Sequence, residues 1–200
     1  MTLNNFSAVN VFAKKLVNDE ISIFQVIKGD KIKLFDEPTF IKLNDLAFHN
    51  GVIEVKVKSK VLPDAPDFAR GFIGVAFRIN ENNSEFEAIY VRPSNAQSTN
   101  QLRRNHTTQY FSYPDYKFDR LREESPSVYE SYAPIALDEW IDLKIEVQGL
   151  QAKLFVNQSL YPVLIINDLK HGNSIGSIGL WVEVGTEGYF TDLKIDFSQK

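Results

Sequence analysis

The stretch EWIDLKIEVQGLQAKLFVN, from Glu139 to Asn157, contains two runs in which apolar and polar residues alternate. Alternation with a period of two places all the apolar side chains of an extended strand on one face. The pair Gln148-Gly149 lies between the runs, and glycine readily adopts the positive φ that a tight hairpin turn requires. The stretch therefore predicts two antiparallel strands that are neighbours in one sheet.

The same alternation extends over most of the chain from residue 30 onward. Short runs rich in Val, Ile, Phe and Tyr are separated by clusters of Gly, Asn, Asp and Pro, which is typical of antiparallel sandwiches and barrels. The number of segments fits two packed sheets better than one. The predicted strands are Lys31 to Asp36, Thr39 to Leu43, Gly51 to Lys60, Arg70 to Ile79, Phe86 to Arg92, Gln109 to Ser112, Trp140 to Gln148, Ala152 to Asn157, Val163 to Ile166, Ile175 to Glu183 and Gly188 to Phe197.

Parts of the chain depart from this pattern. The segment Phe6 to Lys28 is ambiguous between a short helix and an edge strand, and Val11 to Val17 suggests a helical turn. Pro93 to Asn105 is polar and lacks periodicity, while Pro114 to Pro134 mixes aromatic and charged residues. Loops of this length in a compact domain are usually functional or disordered, and we expect one or the other here.

Length and composition limit the class of protein. Two hundred residues fit one all-β domain over residues 1–200, and 44% hydrophobic residues are enough for a packed core. The net charge of −4 argues against nucleic acid as a partner. The chain has no cysteine, which excludes disulfides, thiolate zinc sites and cysteine nucleophiles. No stretch approaches the roughly 20 apolar residues of a membrane span, so we expect no membrane partner.

The N-terminal stretch MTLNNFSAVNVFAKK lacks a basic segment followed by an apolar one, as an export signal would have. We therefore expect a cytoplasmic protein for the chain as it stands, and a periplasmic or secreted one if an export signal has been removed. The oligomeric state does not follow from these features.

Several stretches resemble one known superfamily. The Glu139 to Asn157 stretch resembles the strand pair of laminin-G-like and concanavalin A-like domains, in which a Trp opens one strand and a Gly turn leads to the next. GSIGLWVEVGTEGYFTDLKIDF, from Gly176 to Phe197, resembles the closing strands of the same superfamily. Upstream, FHNGVIEVKVKSK, ARGFIGVAFRI and EFEAIYVRP are similar to central strands of the 3-keto-disaccharide hydrolase-like branch.

The resemblance covers residues 48–197 and has consequences for fold and function. It implies an antiparallel two-sheet β-sandwich of the concanavalin A-like jelly-roll type. It also implies a saccharide as ligand and, in the hydrolase branch, a glycosidase-like activity. The paired-carboxylate motif E-x-D-x-E of jelly-roll glucanases is absent, so the resemblance assigns no catalytic residue.

Alternation also divides each strand into an inward and an outward set of side chains. If the strands share a concave sheet, as the resemblance implies, one row of outward residues converges on one surface. Aromatic rings stack on sugar rings, while Arg and Glu form hydrogen bonds with sugar hydroxyls, so such a row suits a saccharide. Alternatively, Trp181 and Tyr90 pack beneath a loop. The predicted row consists of Arg78, Tyr90, Arg92, Trp181 and Glu183.

The segment Gln101 to Tyr132 is dense in Tyr and Arg. One interpretation is a rim or lid that clamps an acidic or hydroxyl-rich ligand. The other is that Arg120 and Arg122 pair with nearby acidic residues and hold a long loop in place. Arg103 and Arg104, by contrast, have no close acidic neighbour in the sequence. The predicted ligand-binding residues of the segment are Arg103, Arg104, Asn105, Gln109, Tyr110 and Tyr113.

Two kinds of catalysis are compatible with the residues present. Glycoside hydrolysis requires two carboxyl groups, one with a raised pKa, and the candidates are Glu183, Glu130 and Glu187. β-Elimination on a uronate requires a cation or amide and a proton-transferring Tyr or His. The residue types for this lyase chemistry occur together in Arg104, Asn105, His106, Gln109 and Tyr110.

Cofactors are not predicted. The three histidines lack the spacing of zinc ligands, and the glycines form no phosphate-binding string. A structural calcium ion near Asp192 or Glu187 is the one alternative, although no loop has dedicated calcium spacing.

The sequence as a whole favours a carbohydrate-active, glycoside hydrolase-like domain that binds a saccharide, and its arginines favour an acidic one. Three alternatives stay open. They are a non-catalytic, lectin-like carbohydrate-binding module, a polysaccharide lyase, and a protein-interaction domain whose aromatic loop docks a partner or a second copy.

Overall fold

The computed structural model describes residues 5–18, 21–30 and 33–198. The elements within these ranges are β1 (Phe6–Val9), β2 (Val11–Asn18), β3 (Ile21–Lys28), β4 (Phe40–Leu43), β5 (Gly51–Val61), β6 (Ile73–Ile79), β7 (Phe86–Val91), α1 (Pro93–Ala96), α2 (Gln101–Asn105), β8 (Thr108–Tyr113), α3 (Phe118–Glu124), β9 (Glu130–Ser131), β10 (Ile141–Gln148), β11 (Gln151–Val156), β12 (Leu164–Ile166), β13 (Ser177–Val182) and β14 (Thr186–Phe197). No helix in the described ranges is long and apolar enough to cross a membrane.

The strands form two antiparallel sheets of seven strands each. The first sheet has the order β1-β4-β13-β6-β7-β8-β9, and the second has the order β12-β11-β10-β5-β14-β3-β2. The predicted hairpin joins β10 to β11, with Gln148 paired to Gln151 across the turn. Gly149 in that turn has a φ of +57°, as the sequence predicts. The predicted jelly-roll β-sandwich is therefore confirmed.

The core lies between the two sheets. In β10 the residues alternate strictly between buried and half-buried, so that Leu143 and Ile145 point inward while Lys144 does not. β5 shows the same alternation next to it, with Val57 fully buried. The second sheet thus has one apolar face and one hydrated face, as antiparallel sheets commonly do.

The first sheet differs, because β6, β7 and β13 are buried on both faces. Its outer face carries a layer of packed aromatic rings, in which the Tyr90 and Trp181 centroids are 4.8 Å apart. Gly74 lies between them in register, and a Cβ there would meet the Tyr90 Cα at 2.5 Å. The glycine therefore leaves room for the rings. The layer consists of Phe40, Phe86, Tyr90, Phe111, Tyr113 and Trp181.

Two segments, residues 33–39 and 114–124, cover this aromatic layer. The indole N–H of Trp181 donates to the Glu37 carbonyl oxygen at 2.9 Å. Phe118 N–H donates to the Asp36 carboxylate at 2.7 Å, and Lys117 forms an ion pair with Glu37. The expected open hollow is therefore absent over most of this sheet, because so many rings would otherwise lie in water.

The predicted strand Lys31 to Asp36 is wrong for residues 33–36, and residues 31–32 lie outside the described ranges. Asp36 has a φ of 52°, a left-handed conformation that interrupts extended backbone. The predicted helical turn Val11 to Val17 is also wrong. That stretch is strand β2, whose pairing with β3 outweighs its weak local preference for a helix.

The two stretches without strand periodicity contain short ordered elements. Residues 93–105 form α1 and α2, and residues 114–134 contain α3 and β9. Asn100 caps α2, since its side chain accepts the Arg103 N–H at 3.1 Å. These helices are too short to bury an apolar stripe of their own. Their role is to place side chains at one end of the first sheet.

Candidate functional site

A cavity of about 670 Å³ lies at one end of the first sheet. Three adjacent strands reach it, since β13 ends just before Glu183, β6 begins just after Phe72 and β7 ends just before Arg92. We call it the arginine cavity because four arginines line it. The lining residues are Phe35, Asp36, Phe68, Arg70, Phe72, Tyr90, Arg92, Asn95, Asn100, Leu102, Arg103, His106, Phe118, Arg122 and Glu183.

Aromatic rings form the rim of the arginine cavity. Phe35 packs edge-to-face on Phe68 with centroids 5.5 Å apart, and on Phe118 at 6.2 Å. Phe68 is 47% exposed and Phe35 is 38% exposed, although both are large apolar side chains. Exposed rings beside fixed polar groups offer a flat surface on which a ligand can stack.

Arg92 is the centre of a buried polar network on the sheet side of the cavity. Its guanidinium donates to Glu130 at 2.9 Å, to the Tyr90 hydroxyl at 2.7 Å and to the Gln109 amide oxygen at 3.1 Å. Arg122 also donates to Glu130, at 2.9 Å through Nε. The network fixes Arg92 and Gln109 without any ligand, which is the pre-organisation that binding sites use.

Glu130 is held as a carboxylate by these partners. Burial would raise its pKa, but the hydrogen bonds and charges of Arg122 and Arg92 outweigh burial and lower the pKa below its ordinary value. His106 approaches the same carboxylate at 3.5 Å, yet burial lowers the pKa of this histidine more than Glu130 raises it. A glutamate paired in this way is poorly suited to donate a proton as a general acid.

Glu183 lies at the cavity but is also engaged. Its carboxylate forms an ion pair with Lys28, and it accepts the backbone N–H groups of Asp36 at 2.9 Å and Val184 at 2.7 Å. Burial raises its pKa, although Lys28 opposes this. The sequence-predicted pair of Glu183 with Glu187 does not meet in one cleft. Glu187 is on β14 of the second sheet, where its carboxylate accepts a hydrogen bond from the side-chain amide of Gln25.

Asp36 is a third carboxyl group at the cavity whose pKa departs from its ordinary value. Burial raises its pKa from 3.8 to about 7, and the nearby charge of Glu183 adds to this. The Phe118 N–H and the positive charges of Arg92 and Lys117 oppose the rise without cancelling it. Asp36 is therefore near half-protonation at neutral pH, which is the condition of a proton-transferring carboxyl group.

The residues predicted to bind ligand from the segment Gln101 to Tyr132 lie partly at the cavity and partly elsewhere. Arg103 lines the cavity, and its Nε donates to the Asn95 side chain at 2.9 Å. Arg104 lies against the Tyr132 ring, with 4.9 Å between the guanidinium carbon and the ring centroid. Asn105 is exposed and accepts a hydrogen bond from Gln101. Gln109 is buried in the Arg92 network.

Arg78 does not line the arginine cavity, which corrects the predicted convergence of five outward side chains. The pairing of β6 with β13 shifts register between Ser177 and Gly179, and Arg78 has a φ of 53°. Such a bulge changes the face to which a side chain points. The Arg78 guanidinium instead donates to the carbonyl oxygens of His49, Gly149 and Gly172.

Three other predicted ligand-binding residues also do not line the arginine cavity. Trp181 is fully buried beneath residues 33–39, as the alternative interpretation held. Tyr110 is buried and donates to Glu87 at 2.6 Å, on the opposite face of β8 from Gln109. Tyr113 stacks on Phe86. The residues named for lyase chemistry are consequently dispersed over both faces of the sheet and its surface.

A second depression, of about 430 Å³, lies on the hydrated face of the second sheet. Lysines and carboxylates alternate there, and Lys56 pairs with Asp192 at 3.3 Å. This is an ordinary solvated sheet face. The described residues contain no group of three His, Asp or Glu side chains placed to hold a metal ion, and the structural calcium ion stays a prediction.

Sequence reasoning missed several cavity residues. Asp36 was placed at the end of a strand, although the Asp-Glu-Pro run at residues 36–38 is a turn signal. Phe35, Phe68 and Phe118 come from two loops and the start of a short helix, so no periodicity marks them. Arg70 is the first residue of the predicted strand Arg70 to Ile79, and alternation alone assigns it no role. These residues are distant in sequence and come together only in the folded chain.

Comparison with known proteins first establishes the class of fold. No protein-family model matches the chain, and no curated protein matches it. Solved structures do match, and one of the three described below has a galectin-like fold, so the predicted resemblance is confirmed for the fold alone.

Three solved structures are among the most similar. The carbohydrate-binding module CBM66 from Bacillus subtilis is 14% identical with a TM-score of 0.59, covering 94% of this chain and 95% of that one. A candidate glycosyl hydrolase from Parabacteroides distasonis is 11% identical with a TM-score of 0.58, covering 98% and 89%. A protein of unknown function with a galectin-like fold from Bacillus subtilis is 10% identical with a TM-score of 0.54, covering 96% and 89%.

Proposed function

We propose that this protein binds a saccharide in the arginine cavity without cleaving it. The observation that carries the proposal is the meeting of half-exposed aromatic rings with fixed hydrogen-bond donors in one concave site. Phe35 and Phe68 offer ring faces at the rim, while Arg92 is held in place through its Nη groups and keeps its Nε–H as a donor. Sugars combine apolar ring faces with rows of hydroxyls, so both halves of this surface have a use.

The size of the cavity supports the same proposal. About 670 Å³ falls within the roughly 300–1,000 Å³ of ordinary small-molecule sites, which suits one or two sugar rings. One solved structure with this fold is named a carbohydrate-binding module. At 14% identity the likeness concerns fold alone, so the cavity residues have to carry the argument.

The carboxyl groups favour binding over cleavage. Hydrolysis requires one carboxyl group free to donate a proton and another free to attack or to activate water. Glu130 is occupied by Arg92 and Arg122, and Glu183 is occupied by Lys28. These bonds hold a binding surface in shape, and their loss would be needed before either glutamate could take part in chemistry.

The test is a glycan array followed by calorimetry on the glycans that bind. Phe68→Ala should weaken binding about tenfold, which corresponds to about 1.4 kcal/mol and is in the range of a lost ring contact. Because Phe68 is 47% exposed, its removal leaves the core unchanged. Tyr161→Ala is the matched control, since that ring is 76% exposed and does not line the cavity.

Two results would contradict the proposal. One is the absence of binding to any glycan at millimolar concentration. The other is a glycan whose affinity is unchanged in Phe68→Ala and lost in Tyr161→Ala, which would place the binding surface elsewhere. Trp181→Ala is unsuitable as a test, because that side chain is buried and its loss would disturb the fold.

A second candidate function is glycoside hydrolysis, and Asp36 is the observation that favours it. Its pKa of about 7 fits a general acid, and it lies in the same cavity as Glu183. Release of product from a panel of nitrophenyl glycosides, abolished in Asp36→Asn, would favour hydrolysis. Binding without release by the unaltered protein favours the binding role.

A further inference from the structure

Two of the four arginines in the arginine cavity have no carboxylate partner. Arg92 and Arg122 share Glu130, whereas Arg70 and Arg103 form no ion pair with any described residue. Arg70 donates only through Nη1, to the carbonyl oxygens of Asp67 and Ala69. An arginine usually buries its charge beside a carboxylate, so two unpaired guanidinium groups at one cavity call for an explanation.

Ser94 contacts both unpaired arginines. The Ser94 N–H donates to the Arg70 carbonyl oxygen at 3.3 Å. The Ser94 hydroxyl lies 3.4 Å from Nη2 of Arg103, whose Nε is fixed on Asn95 at 2.9 Å. Both side chains are only half-exposed and both line the cavity. Their remaining N–H groups are therefore available to a ligand in that cavity.

The electrostatics agree with this geometry. Burial lowers the pKa of Arg70, and the positive charges of Arg103 and Arg92 lower it further, while Asp67 opposes them weakly. The two guanidinium groups thus repel each other across a cavity in a protein whose net charge is −4. A bound anion would relieve that repulsion, and planar guanidinium groups bind carboxylates and sulfates through paired hydrogen bonds.

We propose that Arg70 and Arg103 form a subsite for the anionic substituent of an acidic saccharide, either a uronate carboxylate or a sulfate ester. This inference rests on the proposed function and names the class of its ligand. The aromatic rim then holds the sugar ring, and the Arg70–Arg103 pair orients it by its charged group. Neutral sugars lack that second contact and bind more weakly.

The experiment compares matched sugars by calorimetry and by the arginine Nε–Hε signals in ¹H–¹⁵N NMR. The probes are galacturonate, galactose 6-sulfate and galactose, together with acetate and sulfate as anions without a sugar. The acidic sugars should bind at least tenfold more tightly than galactose and should shift the Nε–Hε signals of Arg70 and Arg103. Whichever acidic sugar binds more tightly identifies the substituent as carboxylate or sulfate.

Arg103→Gln should weaken the binding of the acidic sugars at least fivefold more than it weakens the binding of galactose. Arg103→Lys, which keeps the charge, should recover part of the preference. Arg120→Gln is the control, since Arg120 pairs with Glu124 on the surface and does not line the cavity. The unfolding midpoint of each variant shows whether the fold is intact.

The possible failures are distinguishable. Equal affinity for galactose and for both acidic sugars, or a preference that survives Arg103→Gln, overturns the anionic subsite and leaves saccharide binding standing. Shifts with acetate and sulfate but no binding of any sugar overturn the proposal as well, because the pair is then an anion site outside saccharide recognition. No binding by any probe overturns it together with the proposed function.

Discussion

The carboxyl group of Asp36 provides a quantitative test of the structure through the variant Asp36→Asn. Asn keeps an oxygen that can accept the Phe118 N–H, which Asp36 accepts at 2.7 Å. Asn also tolerates the left-handed backbone that Asp36 adopts, with its φ of 52°. The substitution therefore removes titration and charge while leaving shape and hydrogen bonding in place.

The expected effect follows from proton linkage. The pKa of Asp36 is raised from 3.8 to about 7 by burial, so the folded protein binds this proton more tightly than the unfolded chain does. The stabilisation is complete below pH 3.8 and is lost as the pH rises through about 7. At about 1.4 kcal/mol for each tenfold change in proton affinity, the whole effect is about 4 kcal/mol.

The assay is urea unfolding of both proteins between pH 4 and pH 9. The unaltered protein should lose about 4 kcal/mol relative to Asp36→Asn over this range, mostly below pH 7.5, with no further change above it. Asp64→Asn, at an exposed turn position, is the control and should run parallel to the unaltered protein. If the stability difference between the unaltered protein and Asp36→Asn is constant across the range, Asp36 titrates normally and the burial argument is refuted.

Three other variants test the packing and ion pairs. Gly74→Ala should lower the free energy of unfolding, measured with urea, by about 2 kcal/mol or more, because a Cβ would lie 2.3 Å from the Ile89 carbonyl oxygen. An unchanged free energy of unfolding would show that the backbone here can move to make room. Arg78→Met should lower the free energy of unfolding by on the order of 3 kcal/mol, because partly buried carbonyl groups lose their donor, yet calorimetry should find glycan affinity unchanged. Glu130→Gln should lower the free energy of unfolding by about 3 kcal/mol at pH 7, because the buried Arg92 then lacks its carboxylate partner. Because the pKa of Glu130 is lowered, that cost should shrink as the pH falls below 4.5, and a cost independent of pH would count against the ion pair.

The strand pattern was predictable because one sheet face is buried and the other is hydrated. Where that condition holds, as in Ile141–Gln148 beside Gly51–Val61, the predicted and observed strands differ by at most one residue at either end. β13, which carries Trp181, and β7, which ends just before Arg92, lie in one sheet on either side of β6, as expected for a shared sheet. The strand bounds depend on side-chain alternation, which a sequence records directly, whereas the shared sheet is what the resemblance implies.

The candidate site was predictable only in part, because it depends on irregular backbone. Arg92, Tyr90, Glu183 and Arg103 do meet at the arginine cavity, as outward alternation and the arginine-rich segment suggested. A one-residue bulge at Arg78 reversed the face that alternation predicts, and no sequence signal marks it. Asp36 entered the site through a left-handed turn, and its shifted pKa comes from neighbours distant in sequence.

The contacts of Arg78 give the two ends of the first sheet different freedom to change. At the end of the sheet that carries Arg78, its guanidinium donates hydrogen bonds to carbonyl oxygens in three separate turns, those of His49, Gly149 and Gly172. An insertion into any one of these turns would therefore disturb the other two. At the far end of the same strand, loops and short helices supply most of the cavity wall, and loops tolerate replacement more readily than strands do. Variation in ligand preference among proteins built on this framework should therefore accumulate at the cavity end, and recombining those loops is the natural route to altered recognition.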